Sequence, residues 1–443
     1  MKWNPKERIK RAFASLRDRA TTAVNRFGKQ TDEVLSDEPV DFSAPSIPYY
    51  ENLAGRLSFV RIILYMVLFV FVVGTVITNH SLITYENLYY LGKDISAATI
   101  SAQSEADNIS YPVSSIDADF ALYRGGLAIA GSEVVTAMSG SGKQTLSVNV
   151  DYAAPAVRAS DKYLLTFGRG ETSFSVYNAF VQVHREDTDF PVYDAVVADN
   201  GNHAIVTRSR DYTSEVVLYD DDMEKLAAYH LGGYVTGISM NREGTAIGVV
   251  SVESENGRWT TKVSLIRIGN RISHESLSFQ DTFGAYCAFS ADERLAVVMS
   301  DRLMVFKTSQ DISVIGDSHF EGRTPDLCAI SEGHIAVYFR AGRDLSSDLL
   351  NVYDRDGHSS YSVSIDSNHS IRTSGGAEQL AFGDSVLYIR SNDTLFRVNN
   401  NGKEISSVSI SRDTVDYLPV GDDEVLICTP AYAHRIHKDD FTS

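Results

Sequence analysis

From about residue 112 onward, one pattern returns eight times along this 443-residue chain. It consists of a strand, a tight Gly/Asp/Asn turn, a strongly apolar strand, a polar loop and a strand ending in Tyr or Phe plus a polar residue. A second turn and a weaker fourth strand complete each copy. The first turn is marked by Gly126, Asp161, Gly201, Gly244, Asp292, Gly333, Asp384 and Asp423, at a mean spacing of about 42 residues. The strand after it reads LAIAG, YLLTFG, AIVTR, AIGVV, LAVVM, IAVYF, VLYIR and VLICT. The third strand repeats as SVYN, VVLYD, VSLIRI, MVFK, LNVYD and LFRVN.

Four short strands every 40 to 45 residues is the period of a β-propeller blade. The absence of helical periodicity between copies argues against parallel-sheet folds. An all-β propeller is therefore expected over residues 112–443, with eight blades, or seven if an end copy is irregular. The last copy supplies three strands, ending near Tyr432–His437. The run Ile109–Val113, just before the first copy, supplies the missing outer strand and closes the ring, which removes exposed sheet edges.

Ahead of the repeats stands LSFVRIILYMVLFVFVVGTVIT, Leu57–Thr78, apolar from Phe59 onward except for Arg61, Gly74 and two threonines. A helix of roughly 20 such residues spans a hydrocarbon core of about 30 Å. Tyr85, Tyr89 and Tyr90 follow where interfacial aromatics anchor a span. Residues 1–61 hold 11 basic and 8 acidic side chains, against 29 and 50 in the remainder. Basic residues flanking a span stay on the cytoplasmic side, so the amino terminus is expected inside and the repeats outside. An outer domain this acidic is a poor nucleic-acid binder, because neutralising phosphates needs a basic face.

The expected organisation is a basic amphipathic helix (1–29), an acidic, Pro-containing linker (30–56), a transmembrane helix (57–78), a juxtamembrane connector (79–111) and the propeller. In the first segment Ile9, Phe13, Leu16, Ala20, Val24 and Phe27 share one helical face, flanked by Lys and Arg. Such a helix suits an anionic inner leaflet. A cytoplasmic protein partner is the competing expectation.

Catalytic signatures are sparse. Ser139–Gln144 imitates a phosphate loop but lacks its first Gly and its Ser/Thr, and reads as a hairpin turn. Asp220–Asp222 and Asp354–Gly357 lack the spacing of a calcium loop and read as turns. Cys287, Cys328 and Cys428 are odd in number, lie in hydrophobic strands and are expected to be buried thiols. No metal or cofactor is expected. One pattern points to binding: Arg169, Arg208, Arg210, Arg340, Arg343 and Arg390 follow the second strand in four copies. Such loops share one face of a propeller, where guanidiniums could take an anionic glycan, a wall polymer or an acidic partner through bidentate contacts. Local pairing with Glu171, Asp211, Asp344 and Asp393 is the competing reading.

Through the span and the repeats, the chain resembles the membrane-anchored propeller proteins of clostridia and related Gram-positive bacteria. It is similar, more distantly, to eight-bladed quinoprotein-like propellers and envelope-assembly scaffolds. It departs from the quinoprotein pattern in having only Trp3 and Trp259, and from WD-repeat blades in lacking the Trp-Asp dipeptide. The resemblance implies architecture rather than chemistry; a rigid propeller on a short tether is expected to serve as a non-enzymatic scaffold at the cell envelope, with a membrane contact and an envelope protein or anionic wall polymer as partner. Two other classes stay open: an extracytoplasmic glycan hydrolase or lyase, and a ligand sensor coupled to the tail.

Overall fold

The computed structural model describes residues 57, 59–71, 73, 110–113, 115–269, 271–309, 311–341, 347–365, 376–403 and 405–442. The chain divides into two units, Met1–Leu88 and Tyr89–Ser443. In the first, residues 59–71 are helical, as are Leu57 and Val73, and their large apolar side chains are exposed. Arg61 turns its guanidinium onto Tyr65 one turn later, donating to the phenol oxygen at 3.1 Å. Among the described residues no helix is long and apolar enough to cross a membrane. The expected span continues through residues 74–78, which lie outside the described set, as do the tail helix and the acidic linker.

The second unit is an eight-bladed propeller: eight sheets of four antiparallel strands. The inner strands are Asp119–Tyr123, Pro155–Ala159, Val192–Val197, Tyr234–Met240, Gly284–Ala291, Leu327–Ser331, Gln379–Phe382 and Asp416–Val420. Each approaches the next, and the last approaches the first, so the ring closes around an axis. Every turn marked in the sequence joins a first strand to a second. The second strands are packed on both faces by neighbouring blades. That is why Gly126–Ala130, Leu164–Gly168 and His203–Thr207 are buried at every position and read as unbroken apolar runs. The fourth strands cover the rim and alternate, as Ser273–Gln280 does.

The core is accordingly distributed as eight seams, each built from two adjacent blades. Seam packing explains one glycine. A Cβ on Gly248 would stand 2.5 Å from Leu295 Cδ1 of the next blade. The seam between blades 8 and 1 is closed by Ser110–Pro112, which pairs antiparallel with Tyr432–His437 as the fourth strand of blade 8. Tyr111 is fully buried there among Leu127, Leu426 and Cys428. The chain end adds a second tie. Thr442 exchanges two backbone hydrogen bonds with Ser407, in the outer strand of blade 7.

Antiparallel order gives the disc two unlike faces. One carries the first-to-second and third-to-fourth connections and is called the turn face. The other carries the second-to-third and inter-blade connections and is called the loop face. Ser110 pairs opposite His434 and Pro112 opposite Tyr432, so the chain enters the ring from the turn side and runs toward the loop face.

Candidate interaction face

Large exposed aromatic side chains are confined to one face of the propeller. Among the described residues they are Tyr193, Tyr212, Tyr234, Trp259, Phe283, Tyr286 and Tyr432, and all lie at loop-face ends of strands or in loop-face connections. All but Tyr432 belong to blades 3 to 5. Tyr234 is 70% exposed and Trp259 52%. Trp259, at the start of a third strand, meets Phe283 of the next inter-blade loop edge-to-face at 5.7 Å. Tyr212 lies 4.8 Å from His230 in a stack, so its outer ring face is presented in a fixed orientation.

The same three blades share a backbone irregularity. Their inner strands each skip one residue of the ladder near the loop face: Tyr193, Thr236 and Ala285. The inner strands of the other five blades pair without a break. A bulge turns a side chain out of the pleat and bends the strand, and bulges gather at functional rims. Here one of them exposes Tyr193, and Thr236 donates its hydroxyl to Gly284 O at 2.8 Å, joining blade 4 to blade 5.

Deeper in the axial mouth, charged groups clasp neighbouring blades. Arg158 donates to Asp194 at 2.7 Å and lies 3.8 Å from Asp119, so blade 2 holds blades 1 and 3. Asp119 also accepts the backbone N–H of Val157 at 2.9 Å. Gln379 donates to Asp416 across blades 7 and 8, and burial raises the Asp416 carboxyl above its ordinary value. These groups are engaged with one another and with backbone amides.

The arginines marked in the sequence divide into three sets. Arg169, Arg340 and Arg390 are paired, though not with the acids beside them in sequence. Arg169 lies 3.4 Å from Asp119, Arg340 bonds Asp326 at 2.8 Å, and Arg390 bonds Glu378 at 3.2 Å. Arg340 also donates to Ala377 O and Arg390 to Val415 O, each at the threshold of the following blade's inner strand. Arg208 and Arg210 are exposed, with no acidic partner among the described residues. Arg343 lies outside the described residues. Arg412 was not singled out in the sequence. It joins Arg390, Glu378, Asn392 and Asp393 around a cleft of about 550 Å³, where it is paired with Asp393 at 3.4 Å.

Residues 101–437 match the family of unknown function DUF5711. The chain belongs to that family. No curated protein matches the sequence. Among solved structures, the WD40 domain of SCAP from fission yeast is similar at 11% identity and a TM-score of 0.50, over 75% of this chain and 98% of that one. Apo AztD from Citrobacter koseri is similar at 13% identity and a TM-score of 0.46, over 68% of this chain and 86% of that one. At such identities the likeness is one of fold.

In this DUF5711 propeller the sequence look-alikes are turns. Ser139–Lys143 is a hairpin connection in which Ser139 N–H bonds Lys143 O. Asp220 uses its carboxylate to accept the N–H of Glu224 at 2.8 Å, and Asp354 accepts those of Asp356 and His358. Cys287 and Cys428 are buried free thiols, and Cys328 is half-buried.

Proposed function

We propose that this chain is a tethered interaction scaffold whose propeller presents the loop face of blades 3 to 5 to a protein partner. The observation that carries the reading is the gathering of exposed aromatics on three consecutive blades with bulged inner strands. Exposed Tyr and Trp beside Arg is the composition of interface hot spots. A lipid surface is a poorer fit, because residues 112–443 hold 28 basic and 46 acidic side chains, and an anionic leaflet repels such a domain. The hydrolase reading has less support, since the axial carboxylates are held by Arg158, Gln379 and backbone amides.

The tether in this reading is the apolar run Leu57–Thr78, crossing a cell membrane with the amino terminus inside and the propeller outside. The exposed apolar side chains of residues 59–71 support it, since a lone helix of that composition needs an apolar surround. In the finer form of the proposal the partner is an envelope protein. Protease added to cells stripped of their wall should digest the propeller and spare residues 1–56; protection of the propeller would reverse the orientation. Tyr234→Ala combined with Trp259→Ala should leave the thermal midpoint unchanged and abolish the partner bands obtained by chemical cross-linking of cells. Retained bands would exclude this face.

A further inference from the structure

Resting on the interaction-face reading, we infer that the loop Arg208–Tyr212 of blade 3 is the charge-selective contact of that face, and that the partner segment it takes is acidic. The loop is built to project. Its start is tied by Arg208 N–H to Pro191 O, and its end by Thr213, whose hydroxyl donates to Gly232 O at 2.6 Å and whose N–H bonds Leu231 O at 3.1 Å. Between those ties stand two exposed guanidiniums and the Tyr212 ring. His230 stacks beneath that ring, and Glu215 lies 3.9 Å from His230.

The other described arginines of the sequence pattern are consumed by Asp119, Asp326 and Glu378. Those of blade 3 keep their five-donor forks available, with exposed Asp211, between Arg210 and Tyr212, as the one acid of the loop. A carboxylate on a partner completes these forks bidentately, and an apolar or aromatic residue beside it covers Tyr212. The domain as a whole is acidic, so recognition of an acidic segment must act at contact range. At physiological salt the Debye length of about 8 Å screens the distant repulsion and leaves the contact intact.

The test uses the full chain in detergent micelles at 0.15 M salt and two fluorescein-labelled synthetic dodecapeptides. Both carry Tyr and Leu at the same positions; the remaining positions are Glu in one and Lys in the other. Fluorescence anisotropy should show the Glu peptide binding at least 10-fold more tightly, and R208E/R210E should reverse the order while leaving the thermal midpoint in place. No binding of the Glu peptide, equal or tighter binding of the Lys peptide, or a Glu preference that survives R208E/R210E would overturn the inference. Trp259→Ala separates it from the reading it rests on. If Trp259→Ala abolishes binding of both peptides but no charge preference exists, the interaction face stands and this inference fails. If the Glu preference depends on Arg208 and Arg210 while Trp259→Ala changes nothing, the acidic contact stands and the aromatic face fails.

Discussion

Arg435 Nη2 reaches the Tyr111 hydroxyl at 3.2 Å, across 324 residues of sequence. The same guanidinium donates to Gly125 O and Gly140 O of blade 1 and to Glu424 of its own blade. One side chain thus fastens the closing strand to both blades of the last seam. Tyr111→Ala should lower unfolding free energy by about 3–5 kcal/mol, the cost of emptying a buried aromatic site. Arg435→Met should cost less, about 1–3 kcal/mol, because the orphaned carbonyls lie near solvent. Urea denaturation followed by tryptophan fluorescence checks both; a loss below about 1 kcal/mol for Tyr111→Ala contradicts a closing role.

His203 makes stability depend on pH. It is fully buried against Tyr219, its Nδ1–H bonds Gly201 O, and Nε2 has no partner among the described residues. Burial lowers its pKa to about 4, with His184 adding to the effect. Below pH 6.5 the unfolded chain takes up a proton that the folded chain refuses, so stability is complete above that value. It should decline toward pH 4, by up to about 3 kcal/mol. His203→Phe keeps the stack on Tyr219 and removes the titration. Compared by urea denaturation at pH 7.5 and pH 4.5, the variant should lose less stability on acidification than the parent; equal losses contradict the assignment.

The three thiols should be inert. Burial pushes Cys287 and Cys328 up to about 12 and Cys428 higher still. Since the thiolate is the reactive species, a chromogenic disulfide reagent at pH 8 should label none of them within minutes in the folded protein and all three in guanidinium. Fast labelling before denaturation contradicts the packing of blades 5, 6 and 8.

Arg340 and Arg390 occupy equivalent places, yet neither should be a keystone. Arg340 pairs in partly exposed surroundings, and exposed pairs stabilise by about 0–1 kcal/mol. Arg340→Ala should therefore shift urea unfolding by no more than about 1 kcal/mol. Arg390 makes the equivalent pair of bonds from a less exposed position, so Arg390→Ala should cost more than Arg340→Ala. The reverse order contradicts the pairing described.

The architecture was legible because a blade packed on both sides demands an unbroken apolar second strand. LAIAG, LAVVM and VLICT announce burial without reference to distant partners. The closing strand at residues 110–112 was also readable, since a final copy with three strands requires a fourth from elsewhere. The site was less so. Arg169 pairs with Asp119, fifty residues away and on another blade, while the sequence offered only Glu171. The aromatic face was not foreseen at all. Tyr193, Tyr234 and Trp259 sit in strands where their composition reads as ordinary β propensity, and only a bulge or a strand end turns them outward. A regular second-to-third connection every 40 residues would have allowed Tyr212 and Trp259 to be placed on one face, but their clustering depends on three-dimensional register.

Site-specific photo-cross-linking in cells tests the central claim most directly. A photoreactive amino acid is placed at position 234 or 259 on the loop face, and at position 162 or 384 on the turn face. Cross-links to one discrete protein from 234 and 259, and none from 162 and 384, are the expected result. Equal cross-linking from both faces, or from the turn face alone, would contradict the account.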